Sequence, residues 1–206
     1  MKYLIIIFTI LLIFSSCATA PEVEEDTKAA LPETEYTRAN KLKAQADKYN
    51  LADYAPNEYR QAEQKLKDGK ATYKTDNASS KKALDEAIAG YEAVLAKGFP
   101  LLTEKKQEET EAIVKQAEGI KAQVAMKEEY AAARTKYDQA LAAQNNSEYE
   151  QAVALFDEAK LLFQDLYEKT KEKKERAEQA MNSSEESIKD FEEQARAGDE
   201  EIQTGQ

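Results

Sequence analysis

The sequence predicts an all-α protein: an antiparallel array or bundle of about six helices in two internal repeats. Three observations lead to this fold class. From about residue 36 the chain is rich in Ala, Glu, Lys and Gln, which have high helix propensity. Apolar side chains recur there at spacings of three and four, the periodicity of an amphipathic helix. The sequence lacks the alternating Val, Ile and Thr runs and the Asn-Gly turns that would indicate strands and hairpins.

The first segment, residues 1–16, has the composition of a secretory signal peptide. Lys2 supplies a positive charge, and the run from Tyr3 to Phe14 is almost entirely apolar. As a helix, that run would span roughly 18 Å, which is well short of the hydrocarbon core of a bilayer, about 30 Å thick. We therefore expect a signal that is cleaved, and not a permanent membrane span.

Ser15, Ser16 and Cys17 follow the apolar run, and Cys17 is the only cysteine in the chain. This arrangement resembles a bacterial lipoprotein signal, and Phe14 in place of the usual Leu is similar to the relaxed signals of spirochaetes. The resemblance implies cleavage before Cys17, a diacylglycerol thioether on its sulfur and an acyl chain such as palmitate on the new amino terminus. Two or more such chains hold a protein stably on a membrane. The alternative is ordinary cleavage near residues 18–20, which would leave Cys17 unmodified.

The segment after the signal, residues 17–35, is predicted to be the lipidated cysteine and an acidic tether. Six acids and a single Lys lie between residues 18 and 35, together with two prolines. Such a segment has little to bury and is extended by its own charge. Ala18 is not the Asp that retains enteric lipoproteins at the inner membrane, so the resemblance favours the outer membrane, on its periplasmic or outer face.

Apolar stripes predict the helices of the main body. The stripes are Tyr59, Ala62, Leu66 and Tyr73; Leu84, Ala87, Ile88, Tyr91 and Leu95; Ile113, Ala117, Ile120 and Val124; Tyr130, Ala133, Tyr137 and Leu141; and Tyr149, Ala152, Val153, Phe156, Ala159, Phe163 and Leu166. Pro56 suits the first turn of a helix. We expect the second of these helices to stop at Gly98, with Pro100 just beyond it. Ser147 is a candidate N-cap for the helix that follows.

Three short segments recur along the chain and predict an internal repeat. Lys43-Ala44-Gln45 recurs as 121–123, Glu58-Tyr59 as 129–130, and Asp85-Glu86-Ala87 as 157–159. The offsets of 78, 71 and 72 residues imply seven extra residues in the first copy, at 51–57. We predict a loop there, at a point where the second copy continues as helix. The repeats are assigned to residues 36–100 and 101–170; one sustained coiled coil is the alternative.

The segment from Glu148 to Leu161 resembles the second helix of a tetratricopeptide repeat. The resemblance is carried by the spacing of Tyr149, Ala152, Phe156 and Ala159. It implies stacked helix pairs that offer grooves to a protein partner. Across the mature chain, the anchor, acidic tether and Tyr- and Ala-rich helices also resemble small helical lipoproteins of spirochaetes.

Residues 171–206 carry eleven acids and six bases, and we predict a charged helical arm that ends in a disordered tail from about Gly198.

The composition excludes several functions. There is no His, so a Ser-His or Cys-His catalytic pair and an imidazole zinc site are excluded. A net charge of −11 argues against a nucleic-acid partner. No calcium-loop or nucleotide-binding motif occurs in the sequence. We therefore predict no enzyme activity, no catalytic residues, no metal site and no cofactor apart from the acyl chains on Cys17.

The tyrosines offer the remaining candidates for a binding surface. Most lie on the apolar stripes, where the ring packs and the hydroxyl stays in water. Tyr36, Tyr49 and Tyr54 lie off the strongest stripes, and we predict that they form a surface for a ligand or partner.

These patterns together predict a lipid-anchored, non-catalytic envelope lipoprotein that serves as a helical protein-interaction scaffold. Its partners would be the membrane, through the anchor, and another envelope protein. Two alternatives remain: a structural spacer that forms homo-oligomers or links membrane to cell wall, and a carrier that passes a small apolar ligand to a transporter.

Overall fold

The computed structural model describes residues 29–204, with side chains through residue 197. Over this range the chain is helical and contains no strand, which confirms the all-α class there. The elements are α1 (Glu33–Lys48), α2 (Pro56–Thr72), α3 (Asn77–Gly119), α4 (Ala122–Ala125), α5 (Lys127–Asn145) and α6 (Tyr149–Thr204), with a 3₁₀ turn at Leu51–Asp53. The predicted signal, Cys17 and the tether through residue 28 lie outside the described residues.

The helices begin at residues suited to helix starts. Pro56 occupies the first turn of α2, as predicted from the sequence. The side chain of Asp76 caps α3 by accepting a 3.0 Å hydrogen bond from the backbone N–H of Ser79. α1 begins at Glu33, so the helix starts within the last three residues assigned to the tether.

The prediction that a helix stops at Gly98 is wrong: α3, 43 residues long, continues through Gly98 and Pro100 to Gly119. Gly98 is buried, and a Cβ on it would lie 3.1 Å from the Cβ of Leu51. Glycine therefore serves here to let the 3₁₀ turn approach the helix. Pro100 removes one backbone donor from α3, but Phe99 and Leu102 on either side of it are buried and hold the helix in place.

The predicted apolar stripes form two hydrophobic cores, and α3 contributes to both. The first core lies between α1, α2 and the amino-terminal half of α3; its larger members are Leu51, Leu66, Leu84, Ile88, Tyr91 and Val94. The second lies between the carboxyl-terminal half of α3, α5 and residues 149–170; its larger members are Val114, Tyr137, Phe156, Phe163 and Leu166. At about 1.5 Å per residue, α3 is about 65 Å long, which is enough to serve both cores.

Two turns of the body, before α2 and before α5, have similar backbone conformations at an offset of 71 residues. Asn50 and Lys121 both adopt left-handed backbone conformations, with φ of 51° and 64°. The residues before α2 and α5, Ala55 and Met126, have nearly equal dihedrals, φ −138° and ψ 57° against φ −142° and ψ 63°. The turns before α2 and α5 are therefore equivalent.

This equivalence corrects the predicted insertion at residues 51–57. The second copy does not continue as helix there, because α3 ends at Gly119 and the short helix α4 replaces the 3₁₀ turn. The offset of 78 came from matching Lys43-Ala44-Gln45 to residues 121–123. In the structure the buried Ala46 of α1 corresponds to the buried Ala117 of α3, an offset of 71.

The ends of the later helices also differ in part from expectation. Val124, placed on the stripe of a longer helix, is 75% exposed on α4. Ser147 has a φ of 61° and lies in the turn before α6, so it is not the N-cap. α6 extends to Thr204, past the Gly198 at which a disordered tail is predicted.

Candidate functional site

Two of the three tyrosines predicted to form a binding surface share a cleft of about 390 Å³ where the two cores meet. Tyr49 and Tyr54 lie on either side of the 3₁₀ turn and reach the cleft from the carboxyl-terminal end of α1. Tyr36 is not part of it; its ring packs against that of Tyr73, with 4.9 Å between centroids. The cleft is lined by Lys48, Tyr49, Asn50, Asp53, Tyr54, Leu102, Lys105, Lys106, Glu109, Val153 and Asp157.

Several charged side chains of this cleft take part in ion pairs, either with each other or with residues just outside it. Lys106 pairs with Asp157 at 2.8 Å, and Glu109 pairs with Lys160 at 2.7 Å. The ammonium of Lys105 lies 6.0 Å from the centroid of the Tyr54 ring. The lining residues comprise three bases and three acids, so the cleft has no net charge with which to attract an anion or a cation.

One side of the cleft is closed by a contact between α1 and α6. The Tyr49 hydroxyl donates a 2.7 Å hydrogen bond to Glu150, and Lys48 contacts the same carboxylate oxygen at 3.2 Å. Gln45 donates to the other oxygen at 3.0 Å. These donors, Tyr49 first, hold the pKa of Glu150 below its ordinary value. The contact links the carboxyl-terminal end of α1 to the start of α6.

A polar cluster outside the cleft joins α1 and α2. Lys43 donates to the Tyr59 hydroxyl at 2.8 Å, and Tyr59 donates to Asp47. Burial opposes the charge on Lys43, but hydrogen bonds to Tyr59, Asp47 and Glu63 outweigh it and raise the Lys43 pKa. Beneath this cluster the Tyr91 hydroxyl is buried and has no hydrogen-bond partner among the described residues.

The second candidate surface is the part of α6 that continues beyond the body. Every residue from 171 to 197 is exposed, and we call this stretch the arm. Three large apolar side chains lie on it: Met181 is 64% exposed, Ile188 57% and Phe191 70%. Their spacings of seven and three place them on one face of the helix. The arm therefore presents an apolar stripe that nothing in the described part of the chain covers.

The base of the arm is fixed to the body. Thr170, the last residue before it, is 2% exposed. Lys173 donates a 3.1 Å hydrogen bond to the backbone carbonyl of Ala125 at the end of α4. The arm thus starts from a defined position in the second half of the body.

The residues with tetratricopeptide-like spacing lie on the inward face of α6. Ala152, Phe156 and Ala159 are fully buried, and Tyr149 is partly buried at the start of the helix. The α3 and α6 residues of the cleft, such as Lys105 and Asp157, were not anticipated from the sequence. No periodic signal identifies them, because they meet the 3₁₀ turn only through the packing of α3 against α6.

Comparison with protein-family models, with curated proteins and with solved structures found no match. Between residues 29 and 204, no helix combines the length and the apolar character needed to cross a bilayer. In the same range, no cluster of Cys, Asp and Glu side chains is arranged to hold a metal ion.

Proposed function

We propose that this chain is an exported, lipid-anchored scaffold of a bacterial envelope, without catalytic activity, that binds another protein chain through its helices. The single observation that carries the proposal is the arm. A helix with 27 successive exposed residues beyond its core, and with Met181, Ile188 and Phe191 on one face, is suited to packing against another chain. Exposed apolar stripes of this kind are characteristic of helix-mediated recognition.

The anchoring part of the proposal is supported by the sequence. Cys17 follows an apolar run and two serines, and it is the only cysteine available for acylation. Fifteen residues separate Cys17 from the start of α1 at Glu33. A fully extended segment of that length reaches about 50 Å, so the body would stand clear of the lipid headgroups. We place the anchor in the outer membrane, with the body in the periplasm or at the cell surface.

The recognition mode is proposed to be tetratricopeptide-like within the body. The burial of Ala152, Phe156 and Ala159 against neighbouring helices is compatible with this mode. The cleft around Tyr49 and Tyr54 would then be a secondary contact surface, since its charges are balanced and its rings are accessible. The arm remains the principal surface, because it is the larger exposed apolar feature.

Site-specific photocrosslinking in the native envelope tests the proposal. A photoreactive residue replaces Ile188 on the arm, or Leu161 on the same helix in the matched control. Leu161 is 65% exposed but lies outside the arm. We expect a discrete protein adduct from position 188 and none from position 161. Equal labelling at both positions, or no adduct from either, would show that the arm is not a recognition surface.

A further inference from the structure

The apolar stripe of the arm occupies positions that are covered elsewhere in the same chain. Met181, Ile188 and Phe191 follow Thr110, Ala117 and Ile120 by 71 residues, and these three follow Ala39, Ala46 and Tyr49 by 71 residues. The first two positions, within α1 and α3, are fully buried, and the third, just after each helix, is packed against a core. The arm therefore continues a helix pattern that is covered twice in the body.

The same face has the residue spacing of a coiled-coil seam. Side chains at alternating spacings of three and four form one line along the arm, which is the pattern of a and d positions in a heptad. The line comprises Lys174, Ala177, Met181, Ser184, Ile188, Phe191 and Ala195. Leu166 and Thr170, which precede the line on the same side of the helix at spacings of four, are buried within the body. The seam is thus a continuation of an existing helix interface.

We propose that the arm pairs with the arm of a second copy of this chain, in antiparallel orientation. This inference rests on the proposed function and names the partner of its principal surface. The choice of a second copy follows from the charge distribution along the arm and from the sizes of the side chains in the seam.

The charge of the arm changes sign along its length. Residues 171–176 contain four bases and two acids, a net charge of +2. Residues 189–194 contain one base and three acids, a net charge of −2. An antiparallel pair brings the basic stretch of each copy beside the acidic stretch of the other. A parallel pair would place like charges together, so electrostatics selects the antiparallel arrangement.

The side-chain sizes agree with the same register. When the pair is centred between residues 181 and 184, Met181 lies opposite Ser184 of the second copy. Ile188 then lies opposite Ala177, and Phe191 lies opposite Lys174. Each layer joins a large side chain to a small one or to the flexible stem of a lysine, which also allows its ammonium to lie over the Phe ring.

Disulfide trapping with two single-cysteine variants tests the orientation. The full chain carries Cys17→Ala so that the introduced cysteine is the only thiol, with Ala177→Cys in one preparation and Ile188→Cys in the other. After mixing and mild oxidation, we expect a disulfide that joins one variant to the other. In the antiparallel register two copies of position 188 are about 16 Å apart along the axis, so neither variant should link to itself.

The controls separate the possible outcomes. Leu161→Cys, on α6 but outside the arm, should give no disulfide with either variant, and circular dichroism checks that all variants keep their helicity. Efficient self-linking of Ile188→Cys would indicate a parallel pair and overturn the inference, as would a monomeric mass in sedimentation. If photocrosslinks from position 188 reach only other proteins, self-pairing is overturned while the proposed scaffold function stands.

A second measurement addresses affinity. Ile188→Glu places two like charges in the seam of the pair, so we expect the association constant to fall roughly tenfold or more. Raising the salt concentration should also weaken the association, because the opposed stretches attract through exposed charges. Leu161→Glu serves as the matched control and should leave the association constant unchanged. An association constant insensitive to Ile188→Glu would refute pairing through this seam.

Discussion

Tyr59 of α2 packs edge-on against Tyr91 of α3, with 5.8 Å between ring centroids and 78° between ring planes. The same pair recurs in the second half of the body as Tyr130 and Phe163, at 5.7 Å and 75°. The two pairs differ by one hydroxyl group: the more deeply buried ring belongs to Tyr91 in the first pair and to Phe163 in the second. This difference allows one half of the protein to serve as a control for the other.

The first prediction concerns the hydroxyl group of Tyr91. Tyr91 is fully buried and its oxygen has no hydrogen-bond partner among the described residues. Tyr91→Phe should therefore raise the free energy of unfolding by about 1 kcal/mol, measured by urea denaturation. The reverse change in the second half, Phe163→Tyr, should lower it by about 1–3 kcal/mol, because it buries a hydroxyl in an apolar core. Equal effects of the two substitutions would contradict the proposed equivalence.

The second prediction concerns the close approach of α2 to α3. A Cβ at Gly90 would lie 2.8 Å from the Cβ of Ala62 and 3.1 Å from its Cα. Gly90→Ala should destabilise the protein by about 1–3 kcal/mol, since the backbone of α2 must move. Gly119→Ala is the matched control: nothing lies within 4 Å of its Cβ, and the better helix propensity of Ala should stabilise the protein by up to about 1 kcal/mol. Thermal unfolding of both variants distinguishes the steric cost of a Cβ at position 90 from the gain in helix propensity that Ala gives at position 119.

The third prediction concerns pH and the contact between α1 and α6. The pKa of Glu150 is lowered chiefly by the hydrogen bond from Tyr49. A carboxyl with a lowered pKa stabilises the fold fully above its unfolded value of about 4.3, and loses this contribution as pH falls toward the folded value. We expect the resistance of the native chain to urea to fall between pH 6 and pH 3, and Glu150→Gln to reduce that fall.

A double-mutant cycle identifies the source of this effect. Tyr49→Phe removes the principal donor, and the double variant should lose no more acid sensitivity than Glu150→Gln alone. Additive effects of the two substitutions would mean that Glu150 responds to pH through other groups.

The fourth prediction concerns the anchor. Cys17→Ala should abolish labelling by palmitate and release the protein from the membrane fraction, because no other cysteine can accept a diacylglycerol. Ser16→Ala keeps a small residue before the cysteine and is the control, which should still be labelled. Palmitate incorporation into Cys17→Ala would rule out this site of lipidation.

The local part of the fold is predictable from the sequence, because helix stripes depend on spacing alone. The positions of Ala133, Tyr137 and Phe156 in the core follow directly from their periodicity. The end of α3 does not, because Gly98 resembles a helix terminus and Pro100 a helix break. Only the non-local contact with Leu51 shows why a glycine is needed inside a continuous helix.

The two candidate surfaces also differ in how far the sequence predicts them. Met181, Ile188 and Phe191 can be recognised as one helix face from their spacing, but their exposure depends on where the body ends. The cleft that joins Tyr54 to Lys105 and Asp157 is formed by three segments distant in sequence. A short sequence match was also misleading. Matching Lys43-Ala44-Gln45 to residues 121–123 suggested an offset of 78 residues, whereas the buried Ala46 and Ala117 give an offset of 71.

The sharing of α3 by the two cores has a mechanical consequence. A pull applied between the amino-terminal end of α1 and the end of the arm must pass from one core to the other through α3 and the side-chain contacts beside it. Near the middle of that load path, Pro100 leaves the carbonyl of Ala96 without its helical donor. The Tyr49–Glu150 contact bridges the same region from α1 to α6. Under tension, the protein should yield first at this junction, where α3 lacks one backbone hydrogen bond and the hydrogen bonds to Glu150 lie in parallel with it.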